Sequence, residues 1–313
     1  MIAFLYEIGA TPGQNVGAVS SNYVLLVPTE LTVIGMIWHH FPEPQGAPVD
    51  IVAVAAQKGG VGKTTTTYHL TRAAARAGLR VLAVDADPQG NLTSALAAEP
   101  PQPEALGVAD TLNPDAEHRY ALDDVIVPAV WEGVDLAPTS GEALTYIEDE
   151  LTQKPKTPEN SSRLKANLAT MADRYDLVII DCPPNRGALT VNALVAATQV
   201  LVVTMPALYA ANGVAHIFSS IQEVQKELNP ELINRGVLLN LWEPSTIASR
   251  EWRLWLAETY GDQLLEPYIP KREAVKTAQE AGMGLDELPK TEELVRFYDA
   301  HLQRLLPSRV GRN

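Results

Sequence analysis

The chain has a single cysteine, Cys182, among 313 residues. That excludes a disulfide framework and fits a reducing cytoplasm. No Lys or Arg occurs in the first 57 residues, which argues against a secretory leader, a transit peptide or a DNA-binding arm, all of which rely on basic residues. The apolar run from Tyr23 to Trp38 carries Pro28 and Glu30 and falls short of the roughly 20 residues that cross a bilayer. Cations are scarce throughout, with 24 Lys and Arg against 38 Asp and Glu and a net charge of −14, so the molecule as a whole is not a cationic nucleic-acid coat. Residues 1–48 read as a poorly specified extension, either a translated upstream stretch, if the true start lies near Met36, or a small accessory segment. Residues 49–313 read as the working domain.

What the chain does have is 46% hydrophobic residues, enough for a sizeable core, and a regular alternation of apolar runs with helical patterns. Strands are expected at Ile51–Ala56, Arg80–Val84, Val134–Ala137, Leu177–Ile180, Val200–Thr204 and Gly236–Leu241. Helical patterns include Thr64–Ala77, Arg163–Ala172, Ala210–Leu228, Ala248–Tyr260 and Glu292–Leu306, the last with an apolar stripe at Leu294, Tyr298, Leu302 and Leu305. Near-continuous hydrophobic strands separated by helices imply an α/β fold, a mostly parallel twisted sheet covered on both faces. Two segments, 99–106 and 152–162, are rich in Pro and polar residues and read as surface loops.

Three motifs sit at strand ends. The first is Gln57-Lys58-Gly59-Gly60-Val61-Gly62-Lys63-Thr64-Thr65, a glycine-rich turn between a strand and a helix. Such a turn aligns backbone N–H groups on a polyphosphate, with Lys63 reaching the β- and γ-phosphates and the Thr64 hydroxyl on Mg²⁺. The common form G-x-x-x-x-G-K-[ST] would place glycine at 57. This chain has Gln57 there, and an extra lysine, Lys58, beside it. The second motif is Asp85-Ala86-Asp87-Pro88-Gln89-Gly90-Asn91 at the end of the second strand, two carboxylates at the edge where open α/β sheets bind ligands. The third is Leu177-Val178-Ile179-Ile180-Asp181-Cys182-Pro183-Pro184, an apolar strand ending in an acid that suits Mg²⁺.

Together these segments resemble the deviant Walker A ATPases of the ParA/MinD superfamily. The runs Asp87-Pro88-Gln89-Gly90-Asn91 and Pro183-Pro184-Asn185-Arg186-Gly187 favour its ParA/Soj branch. The resemblance covers roughly residues 49–305. Ala56 and Tyr68 stand where that family commonly has asparagine, and Lys271 where it has arginine. The resemblance implies a P-loop NTPase fold, ATP and Mg²⁺ as ligands, and slow hydrolysis of ATP stimulated by a partner. Phosphate contacts are expected from Gly59, Gly60, Val61, Gly62, Lys63, Thr64 and Thr65, and base-side contacts from Asn240 and Pro270. Thr64, Asp85 and Asp181 would serve the metal, Asp85 through bound water, and Asp87 would orient the hydrolytic water. Lys58 would reach the nucleotide of a second subunit and so tie dimer formation to ATP.

By the same resemblance the ATP dimer binds DNA without sequence preference. It partitions plasmid or chromosome DNA with a ParB-like activator, in the cytoplasm and associated with the nucleoid. Residues 245–313 hold ten Lys and Arg against eleven Asp and Glu, whereas 58–244 hold fourteen against twenty-three. Arg250, Arg253, Lys271, Arg272 and Lys276 are therefore the candidates for one phosphate-contacting patch across two chains. Two alternatives stand beside this reading. One is a related ATPase that positions a protein cargo on the nucleoid. The other is a MinD-like membrane regulator, which would need an amphipathic terminus from Leu302, Leu305, Leu306 and nearby arginines. Pro307 and the lack of aromatic anchors count against that terminus, and no stable membrane association is expected.

Overall fold

The computed structural model describes residues 49–310 apart from 103, 140, 141, 155 and 156. The extension expected over 1–48 lies outside the described residues. The strands are β1 (Asp50–Ala55), β2 (Val81–Asp85), β3 (Val127–Pro128), β4 (Val134–Ala137), β5 (Leu177–Asp181), β6 (Gln199–Thr204), β7 (Ile233–Leu239) and β8 (Leu264–Leu265). The helices are α1 (Lys63–Arg76), α2 (Asn91–Leu96), α3 (Val108–Leu112), α4 (Glu142–Gln153), α5 (Pro158–Ser161), α6 (Arg163–Ala169), α7 (Ala188–Ala196), α8 (Leu208–Glu227), α9 (Ile247–Tyr260), α10 (Glu273–Glu280) and α11 (Glu292–Leu305).

One eight-stranded sheet runs in the order β3-β4-β2-β5-β1-β6-β7-β8. Every pairing is parallel except β3 with β4. Strand β1 shows why its sequence is apolar without interruption. Ile51, Ala53 and Ala55 face one core, while Val52 and Val54 face a second core on the opposite side of the sheet. A strand covered on both faces has no polar side to display. The first core takes residues from α4, α6, α7 and α8. The second takes them from α1, α2, α10 and α11.

Chain order reverses at β1, which lies between β5 and β6. In open α/β sheets that reversal opens a crevice beyond the carboxyl ends of the strands, and all three motifs emerge there.

Most expected boundaries agree with the structure to within a residue or two. Strand β7 begins at Ile233, three residues before the expected run, because the pairing with β6 continues through Asn234 despite its polarity. The expected loop at 152–162 contains the short helix α5, started by Thr157, whose Oγ1 accepts from the Asn160 N–H at 3.3 Å. In α11 the stripe Leu294, Tyr298, Leu302 and Leu305 is buried, as is Leu306 beyond it. The leucines considered for a membrane-binding terminus are therefore committed to the core. Among the described residues, no helix is long and apolar enough to cross a membrane.

Candidate nucleotide site

The turn from β1 into α1 requires left-handed backbone at Gly60 (φ 78°) and Gly62 (φ 83°), where a side chain would be strained. At Gly62 there is also no room, since a Cβ would collide with Asn240 Nδ2. That amide donates to the carbonyls of Val61 (3.1 Å) and Gly62 (3.3 Å). Asn240, at the end of β7, is thus a clasp on the loop from the base side. Pro270 reaches the same cleft through a bridge to Trp242.

Below the loop lies a buried charge cluster. Lys63 Nζ donates to Asp181 Oδ1 at 2.8 Å and to Asp87 Oδ2 at 3.3 Å. The Thr64 hydroxyl donates to Asp181 Oδ2 at 2.6 Å, and the Thr67 hydroxyl donates to Asp181 Oδ1 at 3.1 Å. Burial alone would lower the ammonium pKa of Lys63, but the Asp181 and Asp87 carboxylates outweigh it and hold the pKa above its ordinary value. The lysine is therefore charged in any accessible buffer, as phosphate binding requires.

Asp85 occupies a different layer. It is fully buried. Its Oδ2 accepts from Thr93 N (2.8 Å) and Thr93 Oγ1 (2.7 Å), and its Oδ1 accepts from Asp87 N (3.2 Å). Burial pushes the carboxyl pKa up, the neighbouring Asp181 adds to the rise, and the Thr93 and Asp87 hydrogen bonds oppose it. In this structure the oxygens of Asp85, the residue expected to serve the metal through bound water, shape the Asp87 turn and hold the start of α2. Asp87 itself is brought to the cleft, with Oδ1 accepting from Gln89 N at 3.1 Å. Cys182 is buried, and burial pushes its thiol up to about 12, so it is an inert core residue.

The cleft above this cluster measures about 700 Å³ and is lined by Lys58, Gly59, Gly60, Gly62, Lys63, Thr64, Thr65, Asp87, Asn240 and Pro270 among others, within the size range of nucleotide and cofactor sites. Lys58 stands exposed at its mouth. The oxygens of Thr64 and Asp181 form a hard donor pair suited to a divalent cation. No group of three or more His, Cys, Asp or Glu residues is poised for a metal among the described residues. A Mg²⁺ held by Thr64 and Asp181 would take its other ligands from water and phosphate, its usual habit.

Within one chain the five basic candidates have different surroundings. Arg272 and Lys276 line the nucleotide cleft, and Lys276 pairs with Glu280 at 3.3 Å. Lys271 pairs with Glu243 at 3.1 Å. Arg250 and Arg253 border a separate hollow of about 590 Å³ beside α9, together with Trp242, Ile247, Leu254 and Tyr268. The Arg253 guanidinium lies 6.0 Å and 5.9 Å from the Trp242 and Tyr268 ring centroids. Sequence reasoning missed Thr67, whose signal was its position four residues after Lys63 on the same helical face. It also missed Thr93, which had no motif to mark it.

A family model of an AAA domain matches residues 49–234. The sporulation initiation inhibitor protein Soj of Bacillus subtilis is 36% identical over 74% of this chain and 88% of its own length. The chromosome partitioning protein ParA of Caulobacter vibrioides is 35% identical over 75% of this chain and 85% of its own length. The chain belongs to the ParA/Soj family of partitioning ATPases. The ParA/Soj fold also extends to a solved structure, that of cobyrinic acid a,c-diamide synthase from Mycobacterium smegmatis with a bound ATP analogue and magnesium. It superposes with a TM-score of 0.68 at 32% identity, covering 84% of this chain and 98% of the other. In this ParA/Soj chain the glycine-rich loop, the Asp87 turn and the Asp181 strand converge at one edge of the sheet.

Proposed function

We propose that this ParA/Soj protein is an ATP-driven switch. It binds ATP with Mg²⁺, dimerises in that state, and as a dimer holds DNA without sequence preference. It partitions plasmid or chromosome DNA with a ParB-like activator of its slow hydrolysis, in the cytoplasm and over the nucleoid. The observation that carries the reading is the Lys63 ammonium set between Asp181 and Asp87 directly beneath a glycine loop whose mouth displays Lys58.

The roles follow from this placement. Backbone N–H groups from Gly59 to Thr65 and the start of α1 receive phosphate oxygens. Lys63 supplies a fixed positive charge to them. Thr64 and Asp181 would hold Mg²⁺, which when bound neutralises charge on the phosphate oxygens. Asp87, at the cleft wall, orients the hydrolytic water. Lys58 supplies charge across a two-fold interface to the nucleotide of the partner subunit, where positive charge on the transferred phosphoryl group speeds its departure. Arg250, Arg253, Lys271, Arg272 and Lys276 are the candidates for contacts to DNA phosphates.

The test is co-sedimentation with DNA and with anionic liposomes, with ATP, with ADP and without nucleotide. Wild type should bind DNA with ATP only, Lys58→Ala should lose that binding, and Asp87→Ala should bind DNA yet fail to hydrolyse ATP. Nucleotide-independent DNA binding by all three proteins would sink the switch. ATP-dependent liposome binding would favour a MinD-like regulator instead.

A further inference from the structure

The loop after β5 carries Pro183 and Pro184 to the cleft, with Pro184 in its wall. It is fixed by Asn185 at several points. Asn185 Oδ1 accepts from Gly187 N at 2.8 Å, and its backbone carbonyl accepts from Thr190 Oγ1 at 2.9 Å at the start of α7. Its remaining donor, Nδ2, points to Glu148 Oε1 on α4 at 3.2 Å. The packing is tight there, since a Cβ at Gly187 would collide with the same Glu148 oxygen. A single half-buried carboxylate therefore joins α4 to the loop that borders the reacting groups.

The electrostatics agree with this geometry. Burial pushes the Glu148 pKa up, the Asn185 hydrogen bond opposes the rise, and the Asp149 and Asp87 carboxylates add to it. Glu148 thus lies within the field of Asp87, the residue assigned to the hydrolytic water, while touching neither the glycine loop nor the cleft. No motif in the sequence marked it.

We propose that Glu148 is a positioning residue for ATP hydrolysis, holding the Pro184–Gly187 loop against the Asp87 side of the cleft through Asn185. This rests on the nucleotide-hydrolysis reading of the site. It predicts an effect on turnover without an effect on ATP affinity, because the phosphate-holding groups lie on the opposite side of Asp181.

The experiment compares wild type, Glu148→Ala and Glu148→Gln as full chains, by Mg²⁺-dependent ATP turnover at enzyme excess, ATP affinity from a fluorescent analogue, and thermal midpoint. Glu148→Ala should lose about tenfold in kcat, the size expected when a hydrogen bond to a charged group that sets geometry is removed. Its ATP affinity should stay at the wild-type value, and its midpoint should fall only by the worth of that one hydrogen bond. Glu148→Gln keeps a carbonyl oxygen for Asn185 and should recover most of the turnover. If Glu148→Ala does not fold, Asn185→Ala removes the same bond from the loop side and carries the same expectation. Wild-type turnover with an undiminished alanine variant would overturn the inference alone, as would a glutamine variant no better than the alanine one. Absence of turnover in wild type would overturn the reading of the site and this inference with it.

Discussion

Asp85 and Asp181 are direct partners in the register between β2 and β5, so two carboxyls leave adjacent strands at the same height. Two like charges this close and this buried disfavour double ionisation. The structure meets the problem unequally. Asp181 receives Lys63 and two threonine hydroxyls, whereas Asp85 receives Thr93 and a backbone N–H and is pushed up to about 7.

This sets a pH prediction. For a carboxyl whose folded pKa lies above its ordinary 3.8, the contribution to stability is complete below that value and is lost as pH rises to about 7. Asp85→Asn keeps an oxygen acceptor for Thr93 and removes the titration. Its urea midpoint should gain on wild type steadily between pH 4 and 7 and then run parallel. A difference that stayed constant across that range would contradict the assignment.

Removing the Lys63 charge strands Asp181 and Asp87 in a buried site. Lys63→Met should destabilise the domain by roughly 3 kcal/mol, the scale for breaking a buried ion pair from one side, and abolish ATP binding. Urea unfolding and nucleotide titration read the two effects separately.

Gly62 and Asn240 are coupled by space. Gly62→Ala should lose nucleotide binding because the new methyl meets the Asn240 amide. Adding Asn240→Ala removes that clash and leaves only the left-handed strain of about 1–2 kcal/mol. A double-mutant cycle on folding stability should show non-additivity of about 1 kcal/mol. Strictly additive losses would mean that Asn240 does not press on the loop.

The divided basic residues make the DNA surface testable. If Arg250 and Arg253 contact DNA phosphates, each alanine substitution should lower the slope of log K against log salt by about 0.9. Lys271→Ala, which loses a pair with Glu243, should leave that slope unchanged. Equal effects from all three would extend the DNA surface to Lys271.

Much of the site was legible because its chemistry needs particular residue types at fixed spacing. Gly60 and Gly62 are required by φ, Lys63 and Thr64 by phosphate and metal, and the apolar run of β5 by double-sided burial. The edge strands β3 and β8 were not legible, because two residues each carry no periodicity. The layer of Asp85 was hidden as well: an Asp-x-Asp pair alternates faces on paper, and only the Thr93 contacts show which oxygen donors are already engaged.

The sheet ends on both sides in a two-residue strand, and on one side that strand contains Pro128, which has no N–H to offer. Short or proline-bearing margins give an incoming strand almost nothing to zip onto. Among the described residues, what the sheet's two edges offer a second copy or activator is therefore side chains and loops. The proposed ATP-dependent dimer would then come apart without a ladder of backbone bonds to unpick.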